Sequence, residues 1–371
     1  MKFALLELRR RPGRFAMATV ILTLIALLLM FLGGLLDGLL ANSTGAYRAQ
    51  QADAIVYSTG SQNSLVRSRI EPDVRTAVED LVGEERVGGI GTIQLGGRLE
   101  GRGPRDLVPV VLFGYELGPR DLPDEPPAAG EVYADESLES EGVSEGTEIR
   151  VGPDRTSLTV IGFIEDSQYS GQGTLWGSLE TWQEVVNANR PGAATADDVV
   201  QALVVREDPS LSQPLPEAVD EATEGATSSL TIQGAIEALP GVGEQESTFN
   251  QIIGVTVVIA IVVVALFFAL LTVERTALYG VLKAVGASSR TLFAGVMVQA
   301  VVVSVIASTL AAVAALAIGA LIPPGSIPFT VTASRLITSV VILLLAAVVG
   351  CAFSLRRVLK IDPAAAIGGG P

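Results

Sequence analysis

The chain has 371 residues, 49 % of them hydrophobic, yet it carries a formal net charge of −15. It has no histidine and a single cysteine, Cys351, which excludes zinc sites built from Cys and His, histidine-dependent triads and intrachain disulfides. Strong acidity and high apolarity coexist here by segregation: residues 37–251 hold 37 Asp and Glu against 13 Lys and Arg, a net of −24, whereas the remainder holds 3 against 12, a net of +9. The two parts face different solvents.

Residues 1–14 carry Lys2, Arg9, Arg10, Arg11 and Arg14, and an uncharged apolar run follows from Phe15 to Leu36. As a helix that run reaches about 33 Å, enough to cross a hydrocarbon core of roughly 30 Å. A cleaved signal peptide is the competing reading, with Ala41-Asn42-Ser43 as a small-x-small site. The run exceeds the roughly 7–15 residues of a signal core, so we read it as an uncleaved first span.

From residue 37 to 251 the texture is that of a soluble α+β domain inserted between the first two spans. Ala52 to Ser58, Leu107 to Tyr115, Thr147 to Val151, Leu158 to Ile164 and Val199 to Val205 read as strands from their β-branched content and the turn residues that bound them. Gly152-Pro153-Asp154-Arg155 reads as a hairpin turn, and Glu71 to Val82, Leu179 to Asn187 and Pro216 to Ala222 as helices. The domain is large enough for one or two small cores. Its acidic clusters, Asp121 to Glu125 and Asp135 to Glu148, lack the spacing of a calcium loop; they read as a solvated surface, and no metal site is expected.

Three further uncharged spans follow, 252–273, 292–320 and 336–354, with a short turn at 321–335 between the last two. Basic residues set the orientation: five in the N-terminal segment, three in 274–291 (Arg275, Lys283, Arg290) and three in the tail 355–371 (Arg356, Arg357, Lys360), against Arg335 alone in the turn. By the positive-inside rule the N-terminus, 274–291 and the C-terminus are cytoplasmic, and the acidic domain is extracytoplasmic. The expectation is a multi-pass protein of the cell membrane with four helices.

Between the second and third spans, Leu278, Val281, Leu282 and Val285 share one helical face, and Ser288 is placed to cap the helix that follows. Glu274-Arg275, Gly280 and Lys283-Ala284-Val285-Gly286-Ala287 stand at the positions of a signature that resembles the one after the second transmembrane helix of FtsX-like or MacB-like permeases of ABC transporters. Leu8 to Arg14 resembles that family's opening segment. Arg356 to Ile367, with Asp362-Pro363, resembles its closing one. The glycine-punctuated runs 130–134, 146–149 and 160–162 resemble the MacB-like extracytoplasmic domain. The resemblance implies a type VII permease working by mechanotransmission as a homodimer of eight spans. It also implies that Glu274, Arg275, Gly280, Lys283, Gly286, Ala287 and Arg290 couple it to a cytoplasmic ATP-binding subunit.

Energy has to come from that partner, because the chain has no cofactor site or ATP-binding motif of its own: its lysines, Lys2, Lys283 and Lys360, do not follow a glycine as a phosphate-binding loop requires. It is therefore not expected to be an enzyme; ATP and magnesium would be used by the partner. No ionisable residue lies inside a span to carry protons. Beyond a second copy, lipids and a protein outside the membrane, no nucleic-acid partner is expected. The substrate class implied by the resemblance is a hydrophobic molecule, haem or drug-like, exported from the outer leaflet. Met30, Asp37 and Gln251, near the outer ends of the first two spans, are candidates for its entrance. The alternative is FtsX-like signalling to a cell-wall hydrolase.

Overall fold

The computed structural model describes residues 12–103, 105–190, 196, 198–274, 281, 285, 288–322 and 327–359. Its helices are α1 (Pro12–Arg48), α2 (Pro72–Val82), α3 (Leu179–Asn189), α4 (Leu215–Ala222), α5 (Ile232–Glu237), α6 (Val242–Glu274), α7 (Ser289–Leu321) and α8 (Ala333–Leu359). The strands are β1 (Ala54–Ser58), β2 (Val87–Arg98), β3 (Val108–Tyr115), β4 (Glu131–Asp135), β5 (Glu148–Val151), β6 (Thr156–Ile164), β7 (Gly173–Ser178), β8 (Ala202–Val205) and β9 (Thr227–Thr231). Two compact units result, a helical one and an inserted one spanning Leu39–Gln245.

In the helical unit, α1, α6, α7 and α8 are long and apolar enough to cross a membrane. Phe15, Ala18, Leu22, Ala26 and Leu29 recur at three- and four-residue spacing on α1, and Ala300, Val303, Ala307, Ala311 and Ala315 do so on α7; together with Leu343, Ala346, Ala347 and Cys351 of α8 they form the core. Lipid tails are as apolar as these side chains, so association rests on close packing, which small residues permit. Gly350 of α8 lies against α6, where an added Cβ would come within 2.6 Å of the Ile261 carbonyl oxygen.

The helices do not stop where polarity changes. The apolar runs end at Leu36 and begin at Ile252, but α1 continues to Arg48 and α6 starts at Val242. Inside the inserted unit the last turns of α1 are held: Ala46 and Tyr47 are buried, the Ala46 amide donates to the Gln168 carbonyl at 3.0 Å, and Arg48 makes a bidentate pair with Asp166.

The inserted unit is built on one long strand used twice. The first half of β2 pairs with β8, and the order β2-β8-β1-β9 makes an open sheet in which β1 runs antiparallel to both neighbours. The chain order β1-α2-β2 and β8-α4-β9 makes this an interleaved pair of β-α-β units. The second half of β2 pairs with β3 and β5, and β3, β7, β4, β6 and β5 complete a closed six-stranded barrel inserted between β2 and β8.

Alternate side chains point to opposite faces of a strand, so the strands divide their residues among three cores. Val110 and Leu112 fill the barrel, whereas Val111, Phe113 and Tyr115 of the same strand join a second cluster with Trp176, Tyr47 and Tyr57. Ala54 and Val56 of β1 meet α2 and α4 through Val78, Val82, Leu215 and Val219. That is one core more than the sequence suggests, because strands buried on both faces read as unbroken apolar runs. The predicted strands and helices are found with ends shifted by one to three residues; β2, β4, β7, β9 and α5 were not assigned from sequence. The hairpin at 152–155 is present between β5 and β6, with Gly152 at φ +70°, where glycine carries no steric cost.

Candidate functional site

Of the seven residues expected to couple to an ATPase, Arg275, Gly280, Lys283, Gly286 and Ala287 lie outside the described residues. Glu274 is the last residue of α6 and Arg290 stands in the first turn of α7; both are exposed. The Val285 amide donates to the Val281 carbonyl at 3.0 Å, one helical turn. Ser288 is the N-cap of α7, its hydroxyl accepting from the Thr291 amide at 3.2 Å, as the sequence predicts. Val281 is 52 % and Val285 84 % exposed. Two large apolar side chains on one face, flanked by charge, thus lie uncovered in the chain by itself.

The three entrance candidates are not gathered into one site. Met30 is only 3 % exposed and packs in the helical core with Ala26 and Leu29, because its position on α1 continues the buried spacing. Gln251 is exposed on α6, where its amide donates to the Ser247 hydroxyl one turn back at 3.2 Å. Asp37 is engaged: Arg335 donates to both of its oxygens, from Nε to Oδ2 at 3.1 Å and from Nη2 to Oδ1, and the Thr332 hydroxyl donates to Oδ2 at 3.2 Å. Thr332 also accepts from the Arg335 amide at 3.2 Å and so caps α8.

Sequence reasoning used Arg335 only for orientation and missed its role as Asp37's partner. The available signal was a lone carboxylate and a lone guanidinium at the same end of two spans, beside Gly33, Gly34 and Gly38. In the inserted unit, burial pushes the hydroxyls of Tyr47, Tyr57 and Tyr169 above their ordinary range, so these tyrosines stay neutral phenols.

Residues 250–363, which comprise most of α6 and all of α7 and α8, match the family described as FtsX-like permease C-terminal. The helical C-terminal part of the chain thus carries an FtsX-like permease domain. Curated relatives match over its full length: permease proteins named HrtB, for a hemin transport system, from Staphylococcus epidermidis (23 % identical over 375 residues, all of both chains) and Staphylococcus haemolyticus (20 % over 384 residues, all of this chain and 99 % of that one). Among solved structures, the permease is similar to the periplasmic region of MacB from Actinobacillus actinomycetemcomitans, at 9 % identity and a TM-score of 0.36, over 52 % of this chain and 95 % of that one. The extracellular domain of the noncanonic ABC-type transporter YknZ from Gram-positive bacteria gives 9 % and 0.31, over 48 % and 99 %. Four helices among the described residues are long and apolar enough to cross a membrane, with an α/β domain between the first two, and with the permease match they indicate a multi-pass membrane protein.

Proposed function

We propose that the permease is the membrane subunit of an ATP-driven exporter, docked through the segment between α6 and α7 on a separate cytoplasmic ATPase dimer and working as two copies. The uncovered pair Val281 and Val285 carries this reading: apolar side chains exposed beside charge are what a partner's groove covers. Glu274, Arg275, Lys283 and Arg290 supply polar contacts, and Gly280, Gly286 and Ala287 complete the coupling stretch. The excess of basic residues puts this segment and both termini in the cytoplasm and the inserted unit outside. Motion at the ATPase then reaches the inserted unit by mechanotransmission along α1 and α6, whose helices run unbroken past the apolar spans.

The cargo we propose is hemin or a similar flat amphiphile, supported by the full-length relatives named for hemin transport. The chain has no histidine, so such a cargo is held without histidine ligation of its iron. The test is co-purification of the tagged permease from its own membrane, followed by mass spectrometry and by survival of the deletion strain on hemin. An ATP-binding subunit that is recovered with the wild type and lost in Lys283→Glu with Gly286→Leu, together with hemin sensitivity of the deletion, is the expected outcome. Absence of any ATPase would refute the coupling, and recovery of a cell-wall hydrolase without hemin sensitivity would replace export by signalling.

A further inference from the structure

The connection leading into α8 lies on a seam of α1 that has no side chains. An added Cβ on Gly34 would meet the Phe329 ring at 2.6 Å, one on Gly33 would meet Arg335 Cδ at 2.5 Å, and one on Gly38 would overlap the Pro328 carbonyl. Ring and backbone are thus in contact with the helix wall itself. The Thr330 amide donates to the Gly34 carbonyl at 3.0 Å, and Phe31 stacks on Phe329 with ring centroids 5.1 Å apart. At the end of the seam stands the bidentate Asp37–Arg335 pair, both side chains less than a third exposed, with Thr332 tying the same carboxylate to the cap of α8.

Shape, a backbone hydrogen bond, an aromatic stack and a partly desolvated bidentate ion pair thus act on one short stretch. A bidentate guanidinium–carboxylate pair fixes orientation as well as distance, and separating it would leave two charges short of solvent. A hinge needs the reverse: few contacts and freedom to re-solvate.

We infer that Asp37 and Arg335 are positioning residues that fasten α1, residues 327–332 and the first turn of α8 into one body that stays closed through the working cycle. A lateral opening for cargo then forms elsewhere than between α1 and α8, and Asp37 is no part of an entrance. The fastening stands on the helical unit alone; only the statement about cargo rests on the export reading.

The experiment uses the full chain in its native membrane with whatever ATPase subunit accompanies it, in a Cys351→Ala background carrying Phe31→Cys and Phe329→Cys, and a short bifunctional thiol reagent. The expected cross-link yield is the same without nucleotide, with Mg-ATP and after vanadate trapping, and the cross-linked protein retains its ATPase stimulation and cargo efflux. A yield that falls on trapping, or activity lost only on cross-linking, would overturn the inference. Independently of any activity, Asp37→Ala and Arg335→Gln each lower the yield and the double variant lowers it no further; unchanged or additive losses would also overturn it. If the uncross-linked parent shows no nucleotide-dependent activity, the export reading fails by itself, while the variant series still decides the fastening.

Discussion

Val281→Ala with Val285→Ala tests the docking segment most directly. Each substitution removes two methyl groups, each contributing about 0.8 kcal/mol when taken out of water, or about 1.6 kcal/mol per site under full cover. Scaling by the exposure still open, 84 % at Val285 and 52 % at Val281, leaves about 1.3 and 0.8 kcal/mol for a partner to gain. The sum, about 2 kcal/mol, corresponds to a roughly 30-fold weaker Kd. The assay is titration of the ATPase subunit onto the permease in nanodiscs, reading both Kd and stimulated ATP hydrolysis. Because the two side chains are open in the free chain, its melting temperature stays where it was. A Kd unchanged by the double substitution would refute docking through this face, and a fall in melting temperature without a change in Kd would show the valines to be packed inward.

Three further outcomes concern the inserted unit. Trp182→Ala empties a fully buried site of the barrel core, packed against Gly91 and Gly114, and costs about 3–5 kcal/mol in denaturant unfolding of the full chain. Asp135 is buried and accepts from the Ser137 amide at 3.0 Å, the Ser167 amide at 2.8 Å and the Ser167 hydroxyl at 2.7 Å; Asp135→Ala leaves those donors unpaired and costs about 2–4 kcal/mol by the same measurement. Hydrogen bonding to Arg206 holds the Asp124 carboxyl below its usual range. Its contribution to stability is therefore complete above about pH 4 and is lost as pH falls through the lower folded value. Arg206→Gln flattens that acid-side loss in thermal melts recorded down the pH scale.

The apolar spans were legible because their signal is local: an uncharged run long enough to cross a bilayer. The hairpin at Gly152 and the cap at Ser288 were legible for the same reason. What sequence did not disclose was pairing across distance. β2 is rich in glycine, with five in its twelve residues, and glycine weakens a strand signal even where it makes room for a neighbour, as Gly91 does for Trp182. The partner of Asp37 went unseen because that cation lies 298 residues away along the chain, and no periodicity links the two. That Met30 packs in the helical core was not legible either, because in a uniformly apolar run composition does not separate the face that packs from the face that meets lipid.

The double use of β2 sets an order of assembly. Every barrel strand lies between residues 87 and 178, whereas β1, made first, has only β8 and β9 as partners, about 150 residues later. Loop closure over that distance delays pairing. The barrel closes first and presents the free half of β2 as a template, on which β8 docks before β1 finds its place. Until residue 205 has been made, the edges of β1 stay bare, and that interval is when the nascent chain is most open to proteolysis and to pairing with a neighbour.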